Sequence, residues 1–263
     1  MKNRRIARIA IPAVAAVMAM APLTAANAAP ATLPPDTPAF SFSDCPTLPA
    51  NYDPNQSQCF NVVVVGGKFQ LGKVDKPIEK PIKITYASLW NNTTQRPETV
   101  FGKLRAEPML IEGVFGDPLL TAVYATPEYA GKWETPPGTN FSINTALKVR
   151  LQGRVLPVDC HIGSNSDAIN LNLITGTTAP PAPNTPITGE KVRVVGTEGP
   201  VTVRQGTHVE NSFRAPGANG CGLINGGLLD TIINSQAGTP SAAGKNTMIF
   251  KEFIGSVAYS KMP

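Results

Sequence analysis

The stretch NFSINTALKVRLQGRV at residues 140–155 largely alternates between apolar and polar side chains. One set of alternate positions carries mainly apolar side chains: Phe141, Ile143, Thr145, Leu147, Val149 and Leu151. Because successive side chains of a β-strand point to opposite faces, this pattern predicts a strand with one buried face. A strand of this type is common in antiparallel sheets that expose their other face to water.

Similar runs recur along the chain, separated by glycine, proline and asparagine. They occupy residues 59–74, 80–90, 167–176, 190–206 and 245–260. The run at 190–206 predicts a hairpin that turns at residues 197–200. One segment, GGLLDTIINSQAG, has helical spacing and predicts a short helix near 226–235. The sequence therefore predicts an all-β fold, a single antiparallel β-sandwich or barrel with one short helix.

Residues 1–28 have the three parts of a secretory signal peptide. Four basic residues precede an apolar run from Ile9 to Leu23, and small residues then favour cleavage between Ala28 and Ala29. The rest of the chain carries 19 of the 23 basic residues and all 18 acidic ones, a net charge of about +1. This balance argues against nucleic acid as a partner.

The predicted organisation after the signal peptide is simple. Residues 29–43 are rich in proline and predict a flexible N-terminal tail, and residues 44–263 predict one β domain. No apolar run after residue 28 reaches the length of about 18 residues that a transmembrane helix requires. We therefore expect a secreted protein, free in the medium or held non-covalently at the cell wall.

The four cysteines, Cys45, Cys59, Cys160 and Cys221, predict disulfides, because an even number in an exported chain usually forms bridges. Four cysteines allow three pairings. We favour Cys45–Cys59, which would close a loop poor in apolar residues, and Cys160–Cys221, which would close a long excursion. A metal site is disfavoured because no C-x-x-C motif occurs and the chain has two histidines.

Two stretches, CHIGSNSDAINLNLITG from Cys160 and GANGCG ending at Gly222, resemble an uncharacterised family of exported β-rich proteins from actinobacteria. The resemblance is carried by residues of structural type: Cys160, Gly163, Pro216, Gly217, Gly220, Cys221, Gly222 and the segment 243–246. It covers residues 141–259 well. It implies an exported β protein in which Cys160 and Cys221 are partners, and it implies no reaction.

A hydrolase is one hypothesis for the function. His161 is followed closely by Ser164 and Ser166, which supplies a base and two hydroxyls. The segment lacks the G-x-S-x-G elbow, however, and a disulfide-bonded Cys160 cannot act as a nucleophile. We therefore favour a turn in which these polar residues bond to their own backbone.

Two other ligand or catalytic patterns are incomplete. The spacing of Asp53, Asn55 and Ser57 matches the start of a calcium loop, but the glycine and glutamate that should follow are missing. A carboxylate pair for glycoside cleavage would have to come from four scattered glutamates: Glu107, Glu112, Glu128 and Glu134. For the first pattern we expect a disulfide-closed turn. For the four glutamates we expect charges on the surface.

Three aromatic residues, Trp90, Tyr129 and Trp133, lie in turn-like segments. Such side chains either bind a sugar or a partner at the surface or fill the core, and the sequence leaves both options open. The preferred hypothesis is a non-enzymatic β module that binds wall polysaccharide, envelope lipid or another surface protein, without cofactor or metal. A small serine hydrolase and a carrier of apolar ligand inside a barrel are the alternatives.

Overall fold

A computed structural model of the chain describes residues 32–111, 122–222 and 228–262. The predicted signal peptide, its cleavage site at Ala28–Ala29 and Glu112 lie outside these residues. The described residues belong to one compact unit that begins at Thr32. Within them, no helix is long and apolar enough to cross a membrane.

The structure is built from two antiparallel sheets. The first contains seven strands in the order β10-β11-β13-β1-β3-β4, with β2 also paired to β1. Its strands are β1 (Gln58–Leu71), β2 (Val74–Pro77), β3 (Ile82–Asn91), β4 (Arg96–Arg105), β10 (Glu190–Glu198), β11 (Val201–Glu210) and β13 (Thr247–Ala258).

The second sheet contains six strands in the order β12-β8-β7-β6-β5, with β9 also paired to β7. Its strands are β5 (Met109–Ile111), β6 (Val123–Glu134), β7 (Ile143–Gly153), β8 (His161–Ile162), β9 (Ile169–Leu173) and β12 (Ala218–Asn219). The predicted hairpin is confirmed as β10 and β11, with Glu198 paired to Val201 across the turn.

The two sheets pack face to face over one apolar core. Val62 on β1 and Ile254 on β13 contribute from the first sheet, and Leu147 on β7 and Ile169 on β9 contribute from the second. The alternation in 140–155 is confirmed, because its apolar positions on β7 face this core while the polar positions between them face outward. The predicted all-β fold is therefore confirmed, and it is a sandwich rather than a barrel.

One α-helix, α1 (Leu228–Ala237), lies among the described residues. It matches the helix predicted near 226–235 but extends two residues further. Ile233 and Ala237 are buried and attach α1 to the core, whereas Leu228 is 74% exposed. A short 3-10 helix (Tyr259–Lys261) follows β13.

Both predicted disulfides, Cys45–Cys59 and Cys160–Cys221, are confirmed. The first fixes the segment before β1 to the outer face of the seven-stranded sheet. Further contacts support it: the ring of Phe40 occupies the space that a side chain at position 255 would need, so Gly255 permits this close approach. Phe40 lies near the C-terminal end of the tail predicted over residues 29–43. This end of the predicted tail therefore contacts the sheet.

Candidate functional site

The serines proposed as nucleophiles lie in a tight turn between β8 and β9. The backbone N–H of Ser164 donates to the carbonyl of Asp167, and the N–H of Asp167 donates to Ser164 Oγ at 2.9 Å. Ser166 Oγ lies 3.1 Å from Ser164 Oγ. Gly163 opens the turn with a φ of +78°, which glycine adopts without strain. The segment therefore has the geometry of a polar turn, the interpretation favoured from the sequence.

Both ring nitrogens of His161 have partners other than these serines. Nδ1 lies 2.8 Å from the carbonyl oxygen of Asp159, and Nε2 lies 3.3 Å from a carboxylate oxygen of Glu128. The other histidine, His208, is fully buried and is bonded elsewhere. The structure therefore brings neither histidine into hydrogen-bond contact with Ser164 or Ser166, and the hydrolase hypothesis loses its base.

The three described glutamates of the proposed carboxylate pair each have a cationic partner. Glu107 pairs with Lys80, Glu134 with Lys132, and Glu128 with both Lys148 and His161. These are ordinary ion pairs on the surface. Within the described residues, no group of three potential metal ligands comes together.

The loop around Asp53 is a capped turn. One carboxylate oxygen of Asp53 accepts the backbone N–H of Asn55 at 2.8 Å, and the other accepts from the side chain of Gln56 at 3.0 Å. These bonds, that of Gln56 foremost, lower the pKa of Asp53. Its oxygens are thus occupied by the turn itself, as expected for a disulfide-closed loop.

The aromatic candidates divide between core and edge. Trp133 is 6% exposed and packs in the core with its ring 5.3 Å from that of Tyr86. Tyr129 stacks on Phe101 with ring centroids 3.7 Å apart. Trp90 is half-buried. Trp133 therefore fills the core, which was the alternative to a surface-binding role.

The interior of the sandwich offers little space for a ligand. Two neighbouring apolar voids lie between the sheets, with volumes of about 30 and about 20 Å³. Both touch Phe69, Leu71, Ala125 and Val149. Sites for small molecules usually measure about 300–1,000 Å³. The described part of the core thus gives the carrier hypothesis no support.

A larger concavity of about 450 Å³ lies on the six-stranded sheet. We call it the asparagine groove. It is lined by Lys132 on β6, Asn144 and Thr145 on β7, Asn170, Leu171 and Asn172 on β9, and Glu210, Ser212 and Phe213 beyond the free edge of β9. Its volume lies within the range of about 300–1,000 Å³ for ligand sites.

Strand register places the asparagines of the groove on one face. Asn144 is paired directly with Asn172, and Asn170 is paired with Ala146 on the next rung of that face. Ile143 and Leu171, which are adjacent to these asparagines along the strands, are buried in the core, so the asparagine side chains point away from it. The face presents amide groups that both donate and accept hydrogen bonds.

Small buried residues are neighbours of these amides on the two strands. Ala130, Ala146 and Ala168 make a buried cluster separate from the main core. Ala146 alternates with Thr145 and Leu147, and Ala168 precedes Ile169, so both belong to the outer face.

Glu210 forms the far wall of the groove. Its side chain comes from β11, in the other sheet, and the residue is 6% exposed. Oε2 accepts the backbone N–H of Asn172, and Oε1 accepts that of Ser212. The carboxylate thereby satisfies a donor on the free edge of β9 and holds the segment after β11 against that edge.

Sequence reasoning missed every polar residue of this groove. The signal was present in SINTAL and INLNL, where Asn144, Asn170 and Asn172 occupy the polar positions of alternating strands. The alternation indicated an outward direction for these side chains. It did not indicate that β7 and β9 are neighbours, which is what places the amides together.

The fold and the groove together define a β-sandwich with two disulfides and an open polar concavity on its six-stranded sheet. The chain matches no protein-family model, no curated protein and no solved structure.

Proposed function

We propose that this chain is an exported, non-enzymatic binding module that holds polysaccharide of the cell envelope in the asparagine groove. The observation that carries the proposal is the groove itself, about 450 Å³ in volume and lined by Asn144, Asn170 and Asn172. Sugars present hydroxyl groups that donate and accept hydrogen bonds. Side-chain amides do the same, so an array of amides complements a hydroxyl-rich ligand.

The composition of the groove favours a sugar over a protein partner. Protein interfaces usually depend on a few exposed aromatic or arginine side chains near their centre. None of the described residues that line the groove is an arginine, and Phe213, its aromatic residue, is 5% exposed. An apolar lipid surface is also a poor match, because the exposed groups are amides, a hydroxyl and Lys132.

Export is the second part of the proposal. Two disulfides join the described residues, and bridges of this kind persist in oxidising compartments outside the cytoplasm. The predicted signal peptide and the resemblance to exported actinobacterial proteins favour the same location. Wall polysaccharide is then the hydroxyl-rich polymer that such a protein meets at the surface of a Gram-positive cell.

Co-sedimentation with insoluble cell wall tests this function. Purified, disulfide-intact protein is mixed with actinobacterial wall that retains its polysaccharide, and the bound fraction is measured against wall concentration. We expect saturable binding, weakened about tenfold or more in the double variant Asn144→Ala with Asn172→Ala, because each lost hydrogen bond contributes about 0.5–1.5 kcal/mol. Soluble wall polysaccharide should compete for binding.

The chain provides a matched control. Asn92 and Asn165 are exposed asparagines in turns outside the groove. A double variant Asn92→Ala with Asn165→Ala removes the same number of amides, and it should bind like the unmodified protein. Equal binding by the groove variant and the unmodified protein would refute the proposed site, and absence of binding by the unmodified protein would refute the function.

A further inference from the structure

A buried histidine–glutamate pair joins two strands of the seven-stranded sheet inside the sandwich. His208 on β11 and Glu252 on β13 both have side chains that are 0% exposed. Their Nδ1 and Oε1 atoms lie 2.7 Å apart. The other oxygen of the carboxylate, Oε2, has no hydrogen-bond partner in the described structure. Charged groups are rarely buried unless they are paired, so this position needs an explanation.

The same histidine also reaches the opposite sheet. His208 Nε2 donates to the backbone carbonyl of Phe141 at 2.8 Å. Phe141 belongs to the β6–β7 loop (residues 135–142), and its φ of +58° is uncommon for a residue other than glycine. His208 therefore connects β13, β11 and a loop of the six-stranded sheet through one imidazole ring.

Other contacts also hold this loop, among them two with β10 and β11. The guanidinium of Arg204, on β11, lies 5.5 Å from the centre of the Phe141 ring. The side chain of Asn140 accepts the backbone N–H of Val192 at 2.7 Å and also donates to the carbonyl of that residue. The loop is thus attached to β10 and β11 at two successive residues, and the bond from His208 is an attachment made by an imidazole ring.

We propose that His208 and Glu252 form a proton-dependent lock, in which doubly protonated His208 holds the β6–β7 loop against β11 and the loss of one proton releases Phe141. An imidazolium has two N–H donors, which match the carboxylate and the carbonyl at the same time. When one proton leaves for solvent water, the neutral ring keeps a single N–H. In the proposed lock, the carbonyl of Phe141 is the acceptor that then loses its donor.

Among the charged and titratable groups around the ring, Glu252 favours the doubly protonated form, whereas the positive charge of Arg204 opposes it. Glu252 faces it from β13, and Arg204 and Glu210 lie on its own strand, β11. Tyr86 on β3 interacts with both Glu252 and Arg204. From β10, the buried neighbour is the apolar Val192, which packs against Gly206. The described residues 135–142 of the loop contain no charged side chain.

The balance of these effects raises the pKa of His208 above its usual value. Burial acts in the opposite direction, because it disfavours the charged ring. The charge of Glu252 and the hydrogen bonds to Glu252 and Phe141 together outweigh it. The lock is therefore closed at and below the pH at which an ordinary histidine titrates, and it opens at higher pH.

Hydrogen–deuterium exchange of the whole, disulfide-intact protein tests the lock. Exchange of the β6–β7 loop is followed from about pH 5 to about pH 9 and corrected for the intrinsic effect of pH. We expect protection of the loop to fall about tenfold or more as His208 loses its proton, since a charge-assisted hydrogen bond is lost. The transition should lie above the usual pKa of histidine, about 6.5.

Two variants identify the group responsible. Glu252→Gln removes the negative charge and keeps the shape, so the transition should move to lower pH. His161→Gln alters the other histidine, at the surface, and should leave the transition unchanged. Protection that does not change with pH, or a transition that follows His161, would overturn the proposal.

A spectroscopic measurement keeps the proposal testable if Glu252→Gln does not fold. The ¹⁵N chemical shifts of the His208 ring in the unmodified protein report how many of its nitrogens carry a proton. We expect two protonated nitrogens at about pH 6. A neutral ring at that pH would overturn the lock whatever the loop does.

Discussion

The carboxylate of Glu210 accepts the backbone N–H of Asn172 at 3.2 Å, although the two residues belong to different sheets. Its second oxygen accepts the N–H of Ser212 at 2.5 Å. One side chain thus replaces a strand partner for the edge of β9 and joins two walls of the asparagine groove. Because Glu210 is buried, water does not readily substitute for these bonds.

Replacement of Glu210 by alanine should destabilise the protein. Each hydrogen bond to a charged group contributes about 1.5–3 kcal/mol, and the two backbone donors would be left unpaired, so we expect a loss of about 3 kcal/mol in the free energy of unfolding. Urea denaturation followed by circular dichroism measures this loss. The exposed Glu134, on β6, provides a control: Glu134→Ala should change stability by about 0.5 kcal/mol or less. Equal effects would contradict the role assigned to Glu210.

The substitution Trp133→Ala should lower the free energy of unfolding of the protein. The ring of Trp133 packs against Tyr86 and Phe101 in the core, and loss of a buried aromatic side chain usually costs about 3–5 kcal/mol. Trp90 is half-buried, so Trp90→Ala should cost less. Thermal and urea unfolding of the two variants measure which one loses more stability. A stable Trp133→Ala protein with impaired wall binding would show that the residue serves the surface after all.

Removing the two disulfides should have unequal effects. Cys45–Cys59 closes a loop with a sequence separation of 14, and Cys160–Cys221 closes one of 61. Chain-entropy models give losses of about 3 and about 4 kcal/mol, respectively. We expect paired Cys→Ser variants to follow that order in urea denaturation. Free thiol in the unreduced protein would contradict the presence of the bridges.

Stability should also depend on pH through His208. Its pKa is raised in the folded state, so the stabilisation is fully present below about pH 6.5, the pKa of histidine in an unfolded chain, and is lost as the pH rises through the folded-state value. The free energy of unfolding should therefore decline on the alkaline side. His161→Gln should preserve this decline, whereas His208→Gln should remove it. A decline that persists in His208→Gln would assign it to another group.

Much of the fold was accessible from local pattern. The alternation at 140–155 identified β7 and its buried face, and the run at 190–206 identified the β10–β11 hairpin, because a hairpin joins strands that are adjacent in sequence. The cysteine pairs followed from compartment and spacing. Whether the sheets would close into a barrel did not follow, since this depends on pairings between distant strands, such as β1 with β13.

The groove could not be predicted for the same physical reason. Its amides come from β7 and β9, whose register places Asn144 opposite Asn172, and its far wall comes from β11 in the other sheet. The short motif around His161 indicated Ser164 and Ser166 as candidate catalytic residues instead. Those residues match a catalytic composition, but catalysis needs a base at hydrogen-bond distance, and the chain directs His161 toward Glu128.

We propose the asparagine groove as the binding site for polysaccharide. NMR chemical-shift mapping with soluble wall polysaccharide tests it most directly, because side-chain amides give separate ¹⁵N–¹H signals. We predict that added polysaccharide shifts the side-chain signals of Asn144, Asn170 and Asn172, with saturation, and leaves those of Asn92 and Asn165 in place. Shifts confined to residues outside the groove, or no shifts at saturating polysaccharide, would contradict the claim.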